Sequence, residues 1–305
     1  MEFKYKIIIL IESTIGLLIY RLLDRIRRIL AWFMKVLNSW DRANILIVML
    51  VKKLFKNRIL LRVAIGNLRF NIRWPSVDLN VLNEVLKKKC YCLVSSFEPR
   101  KGDVVIDLGA FIGDYTVYAA KKGAFVIAVE PASTNLRLLL CNILLNKVNG
   151  RVKVLKLAVG RARRYVNFPV ESIDFNPGTF SLYYVKNTWV RYEKVPVAAL
   201  DDIITLTDTA RVDIVKVDIE GAEEEVLQGA SKLLSLYKPK FVFEIHSKKA
   251  LRRILRKLRT LKYEVWLIPL TTPYRWYLYA KPAATDDSIS QRSSSKENFS
   301  ILQIE

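Results

Sequence analysis

The chain has 305 residues, 51% of them hydrophobic, enough for one large α/β domain with extensions and a sizeable core. Its 50 Lys and Arg against 29 Asp and Glu leave a net charge of +21, so its surface favours anionic partners: phospholipid, nucleic acid or an acidic glycan. Cys90, Cys92 and Cys141 give no disulfide framework and, with the single histidine, no metal spacing; they fit a reducing compartment.

Residues 1–58 differ in kind from the rest. Ile7–Ile11 and Ile15–Leu23 are strongly apolar but interrupted by Glu12, Gly16 and Arg21, and an acid within a membrane span is costly. No small-residue cleavage site follows, which argues against a removed signal peptide. Arg21, Arg25, Arg27, Arg28, Lys35 and Arg42 then interleave with Ile26, Ile29, Leu30, Trp32, Phe33 and Trp40, and Ile45–Arg58 repeats the pattern. This predicts amphipathic helices lying in a membrane interface. A poor single span, and helices docked on a partner or on the domain, are the competing readings. Arginines after a first span would hold the remainder in the cytoplasm, so the expected location is the cytoplasmic face of a membrane, peripheral or monotopic.

Residues 59–100 form a lead-in. Leu61–Ile65 and Leu68–Ile72 flank Gly66-Asn67, a two-residue hairpin signal. Ser76 caps a predicted helix through Leu79, Val81, Leu82, Val85 and Leu86, closed by Lys87–Lys89. Such a segment can act as a lid over the sheet; plain packing is an equal reading.

Asp103–Thr116 reads DVVIDLGAFIGDYT. Its apolar run suits a strand buried on both faces, followed by a glycine turn and a helix whose first N–H groups are unpaired. The spacing is G-x-x-x-G with Asp107 and Asp114 on either side, not the G-x-G-x-x-G of a dinucleotide fold, and no Gly-Lys-Ser/Thr follows. Carboxylates repel pyrophosphate and suit an ammonium group or hydroxyl donors. The strand Ala124–Val129 ends in Glu130, placed to accept both hydroxyls of a ribose. A ribose-bearing cation without pyrophosphate meets these demands, and S-adenosylmethionine is such a ligand. An ordinary βαβ unit with a structural turn is the bland alternative.

Helix Ser133–Asn146 and strand Val152–Leu157 follow, and the turn at Ala158-Val159-Gly160 can bring backbone N–H groups against an adenine edge. Residues 161–196 read as an insertion on the ligand side. Its strand-like pieces Tyr165–Val170 and Leu182–Val185 are separated by Asn176-Pro177-Gly178-Thr179, which is not the Asn/Asp-Pro-Pro-aromatic set of amino methylation. After a short helical piece at Leu200–Ile204, strand Val212–Val217 ends in Asp218-Ile219-Glu220-Gly221. Strand alternation would bring Asp218 and Glu220 together at the carboxyl edge of the sheet. Gly221 starts a predicted helix to Leu234, whose Glu223–Glu225 read as dipole-matched stabilisers. Phe241–Ile245 brings Glu244 and His246 to the same edge. A strand-end histidine is structural or a general base in equal measure. These groups could also hold Mg²⁺, which is not favoured, and no metal site is assigned. Lys248–Lys262 is a basic amphipathic helix whose charges face water or anionic lipid. Tyr263–Ile268 and Tyr274–Ala280 are closing strands, and 283–305 reads as a disordered tail.

IDLGAFIGDYT, AVEP, Leu200-Asp201, VDIVKVDIEGAEEEVLQGA and FEIH, in this order, resemble the FkbM family of S-adenosylmethionine-dependent methyltransferases over 78–282, with Asp78, Glu84 and Tyr91 in its lead-in pattern. The resemblance implies an α/β, Rossmann-like class I methyltransferase: a mostly parallel seven-stranded sheet with helices on both faces and a final antiparallel strand. The divisions are then 1–58, the lead-in 59–100, the methyltransferase domain 101–282 and the tail 283–305. It implies O-methylation of sugars, glycans or polyketide-type products. By position, Asp107, Gly109, Gly113 and Thr116 line the methionine end, Glu130 takes the ribose, and Asn135 and Asn142 match polar helix positions; Ala158 joins the cofactor set through its turn. His246 is the first choice of base and Asp218 or Glu220 the runner-up. The N-terminal helices suggest a lipid-linked sugar or glycan acceptor. An RNA methyltransferase is the alternative the charge suggests, though no RNA-binding module or stacking aromatics accompany the core. A non-catalytic membrane-associated binder of S-adenosylmethionine is the other.

Overall fold

Gly66-Asn67 does turn a hairpin. Ile59–Ile65 (β1) and Leu68–Trp74 (β2) pair antiparallel with Ile65 opposite Leu68, and Arg62 Nε donates across them to Asn71 Oδ1 at 3.2 Å. The computed structural model describes residues 59–74, 76–172, 190–270, 275–283 and 302–303. The helices expected in 1–58, the turn at Asn176-Pro177-Gly178-Thr179 and the strand Leu182–Val185 lie outside them. The chain divides into two units, Met1–Pro75 and Ser76–Glu305, so the hairpin falls in the first.

The second unit opens with Asp78–Leu82 (α1), where Ser76 Oγ accepts from Asp78 N–H at 3.1 Å. The expected regular helix widens into a π-turn at Asn83–Lys87, a distortion common at functional sites. The main sheet holds Val104–Leu108 (β3), Phe125–Val129 (β4), Val152–Leu155 (β5), Ile214–Val217 (β9), Lys240–Ile245 (β10), Tyr263–Pro269 (β11) and Trp276–Pro282 (β12). Their order is β11-β12-β10-β9-β3-β4-β5; β5, β4, β3, β9 and β10 are parallel, and β12 is antiparallel to both β10 and β11. Leu302–Gln303 (β13) adds an eighth strand beside β11, so these two residues of the segment read as a disordered tail pair with the sheet.

Helices cover the sheet. Asp114–Lys121 (α2) packs on β3, β4 and Ser133–Leu145 (α3). Leu200–Thr207 (α4) packs on Ser231–Leu236 (α6), and Lys248–Thr260 (α7) packs on Glu223–Gln228 (α5) and β11. Alternation sorts the strands. Ile106, Leu108, Val215, Val217, Phe241, Phe243 and Ile245 join Ile203, Val226, Leu233, Ile254 and Leu258 in one apolar cluster. Asp107, Lys216 and Glu244 therefore point to the other face.

Several expectations are corrected. The third strand stops at Leu155, and Ala158–Val159 (β6) pairs parallel with Val190–Ala198 (β8) in a separate sheet completed by Arg164–Ser172 (β7). β8 carried no clear period in the sequence. The helix read from Gly221 to Leu234 breaks at Gly229, because Asp201 caps the second half, accepting from Lys232 and Leu233 N–H at 2.8 Å each. Asp218 and Glu220 lie beyond β9 in a turn, with Glu220 left-handed at φ 54°, so strand alternation is not what brings them together.

The order of strands reverses at β3, with β4 and β5 to one side and β9 and β10 to the other, a switch point of the kind that opens a crevice at the carboxyl ends. There Asp218 N–H donates to Leu108 carbonyl at 3.1 Å, and a Cβ on Gly109 (φ 76°) would lie 1.8 Å from the Asp218 carbonyl oxygen. Gly109→Ala is expected to destabilise the chain by more than about 2 kcal/mol, since both left-handed strain and a backbone clash must be relieved. Chemical denaturation with an unchanged midpoint would contradict it.

Candidate active site

A cleft of about 250 Å³ opens at this switch point. Its floor is the Gly109 turn. Lys216, only 1% exposed, stands opposite Asp107 in the β3–β9 register, with Nζ 3.0 Å from Asp107 Oδ1. Lys216 Nζ also donates to the Gly109 carbonyl at 2.7 Å, and Thr116 Oγ1 donates to Asp107 Oδ2 at 2.6 Å. Burial pushes the Lys216 ammonium towards neutrality, but Asp107, followed by Asp218 and Asp114, more than reverses this and holds it charged. Asp107, Gly113 and Thr116 do not line the cleft; they fix the backbone that does. Gly113 (φ 89°) begins α2 where a Cβ would meet Leu139 at 2.8 Å. Asn142 braces the same turn, its Nδ2 donating to the Ile112 carbonyl at 2.8 Å.

Gly109, Glu130, Asn135 and Ala158 do line the cleft. Glu130 accepts from Phe111 N–H and Ala132 N–H at 2.9 Å each and from Asn135 Nδ2 at 3.2 Å. These donors fix its carboxylate and fill two sites on Oε1 and one on Oε2, so one site, on Oε2, is left for a ribose hydroxyl rather than the two expected. Burial raises Glu130 to about 7, against the donors that oppose the shift. Asp114 is 3% exposed and lines the cleft; one oxygen accepts from Tyr115 N–H at 2.8 Å and the other has no partner. Burial raises Asp114 to about 7, with the Asp107 charge adding and Lys216 opposing. A buried, orphaned carboxylate oxygen on Asp114 and an acceptor site left on Glu130, both lining the cleft, fit the ammonium and a ribose hydroxyl of S-adenosylmethionine.

On the other side of Gly109 stands a mixed charge cluster. Asp218, Glu220, Glu244 and Arg275 line the cleft; His246 sits behind them. His246 Nδ1 is 2.7 Å from Glu223 Oε1, which also accepts from Gly221 N–H at 2.7 Å. Its Nε2 faces Glu220 at 3.3 Å, Glu244 at 3.6 Å and Asp218 at 3.9 Å. Burial disfavours the imidazolium, but hydrogen bonds to Glu223 and Glu244, then the Glu220 and Asp218 charges, push His246 up to about 11. The 3.1 Å approach of Arg275 Nη2 to Nε2 suits a neutral ring instead. Four carboxylates outweigh one guanidinium, so the imidazolium is the form adopted here. Burial raises Asp218 to about 6, with Glu244 adding and Lys216 and His246 opposing; burial raises Glu220 to about 7, against His246. Tyr91 Oη donates to Asp218 Oδ2 at 2.9 Å and lies 3.2 Å from Glu244 Oε2, while Asp218 Oδ1 has no hydrogen-bond partner. Donor atoms of Asp218, Glu244 and His246 lie within 4.8 Å of one another, a spacing a metal ion could bridge. Arg275 already bonds Glu244 and approaches His246, supplying a cation to that group from the chain itself.

The structure thus joins His246, Asp218, Glu220 and Glu244 as expected and adds Tyr91, Lys216, Glu223 and Arg275. Glu223, read from sequence as a dipole-matched stabiliser, is fully buried against His246. A lysine inside an otherwise apolar β9 was the available signal for Lys216. Arg275 had none, since strand pairing of β12 with β10 brings it in.

A family model described as the methyltransferase FkbM domain matches residues 107–265, more than half of the chain. The 31-O-demethyl-FK506 methyltransferase FkbM of Streptomyces tacrolimicus is 28% identical over 172 residues, 48% of this chain and 66%, just under two thirds, of that protein. Among solved structures, TYW2 of M. jannaschii in complex with AdoMet aligns at 16% identity, covering 74% of this chain and 86% of that one, with a TM-score of 0.40. Trm5b of Pyrococcus abyssi aligns at 14% identity over 73% and 55%, with a TM-score of 0.43.

The raised carboxyl groups have a consequence for stability. Asp114, Glu130, Asp218 and Glu220 bind protons more tightly folded than unfolded, so their contribution falls as pH rises through the window between ordinary carboxyl values and about 7. His246, raised from 6.5, acts in the same direction above that value. The melting temperature of the free protein is expected to fall between about pH 5 and pH 7.5. A cationic ligand favours the ionised carboxylates, so the increment given by S-adenosylmethionine should grow over the same range. Thermal scans showing a pH-independent increment would contradict this.

Proposed function

The chain belongs to the FkbM methyltransferase family, and from that premise we propose that it transfers a methyl group from S-adenosylmethionine to a hydroxyl of a sugar, glycan or lipid-linked glycan. The observation that carries this is the Asp218 carboxylate beside the Gly109 turn, one oxygen fixed by Tyr91 and the other without a hydrogen-bond partner, in a cleft that Glu130 and Asp114 also line. The O-methyltransferase relative is compatible with a hydroxyl acceptor. S-adenosylmethionine supplies a methyl already activated by its sulfonium. The chain's own task is to align an acceptor oxygen and take its proton.

Asp114 pairs with the ammonium and Glu130 accepts a ribose hydroxyl on Oε2. Asp218, fixed by Tyr91, takes the acceptor proton on Oδ1, the oxygen that has no hydrogen-bond partner and faces His246 at 3.9 Å. Arg275, whose Nε has no hydrogen-bond partner, donates to the acceptor oxygen and steadies its developing negative charge. His246 is then a positioning residue rather than the base. Held by Glu223, its charge opposes the burial that raises Asp218 and Glu220. An RNA acceptor is disfavoured because the lining of the cleft is acidic. Residues 1–58 bring the enzyme to the cytoplasmic face of a membrane, close to lipid-linked acceptors.

Mass spectrometry of glycans and lipids from cells with and without this protein should reveal one lost methyl group; a methyl lost from RNA alone would reverse the reading. With the acceptor identified, Asp218→Asn is expected to lower kcat by about 10²–10⁴ while cofactor binding stays within a few-fold. His246→Ala should move the acid limb of the pH–rate profile upward, because Asp218 and Glu220 lose a neighbouring cation. An unchanged limb would remove His246 from this role.

A further inference from the structure

α7 spans Lys248–Thr260 with the sequence KKALRRILRKLRT: seven cations and no acid in 13 residues. Its apolar positions are already used. Ala250, Ile254 and Leu258 are buried, and Leu251 and Leu255 pack against the same core. At helical spacing, Lys249, Arg252, Arg253, Arg256 and Lys257 fall on the opposite arc, and all five are exposed. Arg253 bonds Glu224 on α5 at 2.9 Å. Among the described residues Lys249, Arg252, Arg256 and Lys257 have no acidic partner.

Such an arc works against the helix that carries it. Lys249 with Arg253, Arg252 with Arg256 and Arg253 with Lys257 are like-charge pairs at i, i+4, and two lysines open the helix against its dipole. Packing of the inner stripe sustains α7 regardless, so the charges are not there for helix stability. Ser247 caps the helix, its Oγ accepting from Ala250 N–H at 3.1 Å, so α7 starts directly after His246 at the cleft edge of the sheet. A flat surface lying along α7 comes within about 20 Å, one helix length, of the cluster around His246.

We propose that the exposed arc of α7 is a membrane-docking surface that binds anionic lipid headgroups and holds the cleft beside the bilayer. It extends the membrane reading of residues 1–58 to the folded domain and rests on the acceptor reading only for its purpose. Charge complementarity identifies the occupant: a row of unpaired cations matches a planar anionic surface. No apolar side chain of the arc inserts, so the contact is electrostatic and sensitive to salt.

The test uses the full chain with phosphatidylcholine vesicles, with and without phosphatidylglycerol. Amine acetylation read by mass spectrometry reports Lys249 and Lys257, with exposed Lys101, before the amino end of β3, as the control. Anionic vesicles should protect Lys249 and Lys257 several-fold at low salt and leave Lys101 unchanged; neutral vesicles and high salt should not protect. The double variant Arg252→Glu, Arg256→Glu should lose that protection while binding S-adenosylmethionine as the parent does. Each basic residue near such a surface contributes on the order of a fivefold change in binding.

Vesicle binding with Lys249 and Lys257 labelled as freely as Lys101 would assign docking to residues 1–58 alone and overturn the proposal. Failure to bind anionic vesicles, equal protection by neutral lipid, or protection by an RNA oligonucleotide but not by vesicles would also overturn it. None of these outcomes bears on methyl transfer, which the acceptor experiments address separately.

Discussion

The buried ion pair between Lys216 and Asp107 is the constraint on which the site depends. An ammonium and a carboxylate removed from water are costly unless each is fully engaged. Here Lys216 reaches Asp107, the Gly109 carbonyl and the face of the Tyr91 ring, 5.1 Å from its centroid, and Thr116 takes the other Asp107 oxygen. Those contacts tie β3, β9, the glycine turn, α2 and the segment carrying Tyr91 into one arrangement. Shifting either strand by one residue would leave two buried charges unpaired, so the pair also fixes the register.

Around it the sheet divides its labour. One face is an apolar cluster under α4, α5, α6 and α7. The other carries Asp107, Lys216 and Glu244, with Tyr91, Tyr115 and Tyr277 packed edge to face above them. Aromatic rings exclude water from the charges while supplying a hydroxyl, through Tyr91, to Asp218. Phe111 and Glu220 both adopt left-handed backbone beside the cleft, a conformation that costs energy and persists only where surrounding structure enforces it.

The electrostatics are opposed inside and out. The surface is strongly basic, whereas the cleft is lined by Glu84, Asp114, Glu130, Asp218, Glu220 and Glu244 with only Lys216 and Arg275 to offset them. A cationic cofactor is therefore drawn inward, while an anionic surface is attracted to the exterior. The two fields act on different partners and need not compete.

The sequence by itself determined the central strand, the glycine turn, the acid closing β4, the hairpin at Gly66-Asn67 and the gathering of Asp218, Glu220 and His246. Each of these is encoded locally, by strand hydrophobicity, by glycine, or by short spacing from a strand end. It also suggested the family, because those signals occur in a fixed order. Only the tertiary structure decided what long-range pairing controls. The turn rather than the strand directs Glu220, Asp201 splits one apparent helix into two, β6 and β8 build a second sheet, and Glu223 and Arg275 enclose His246. None of these could be read locally, because each depends on a register or contact between segments far apart in the chain, and a buried charge finds its partner only once the strands are paired.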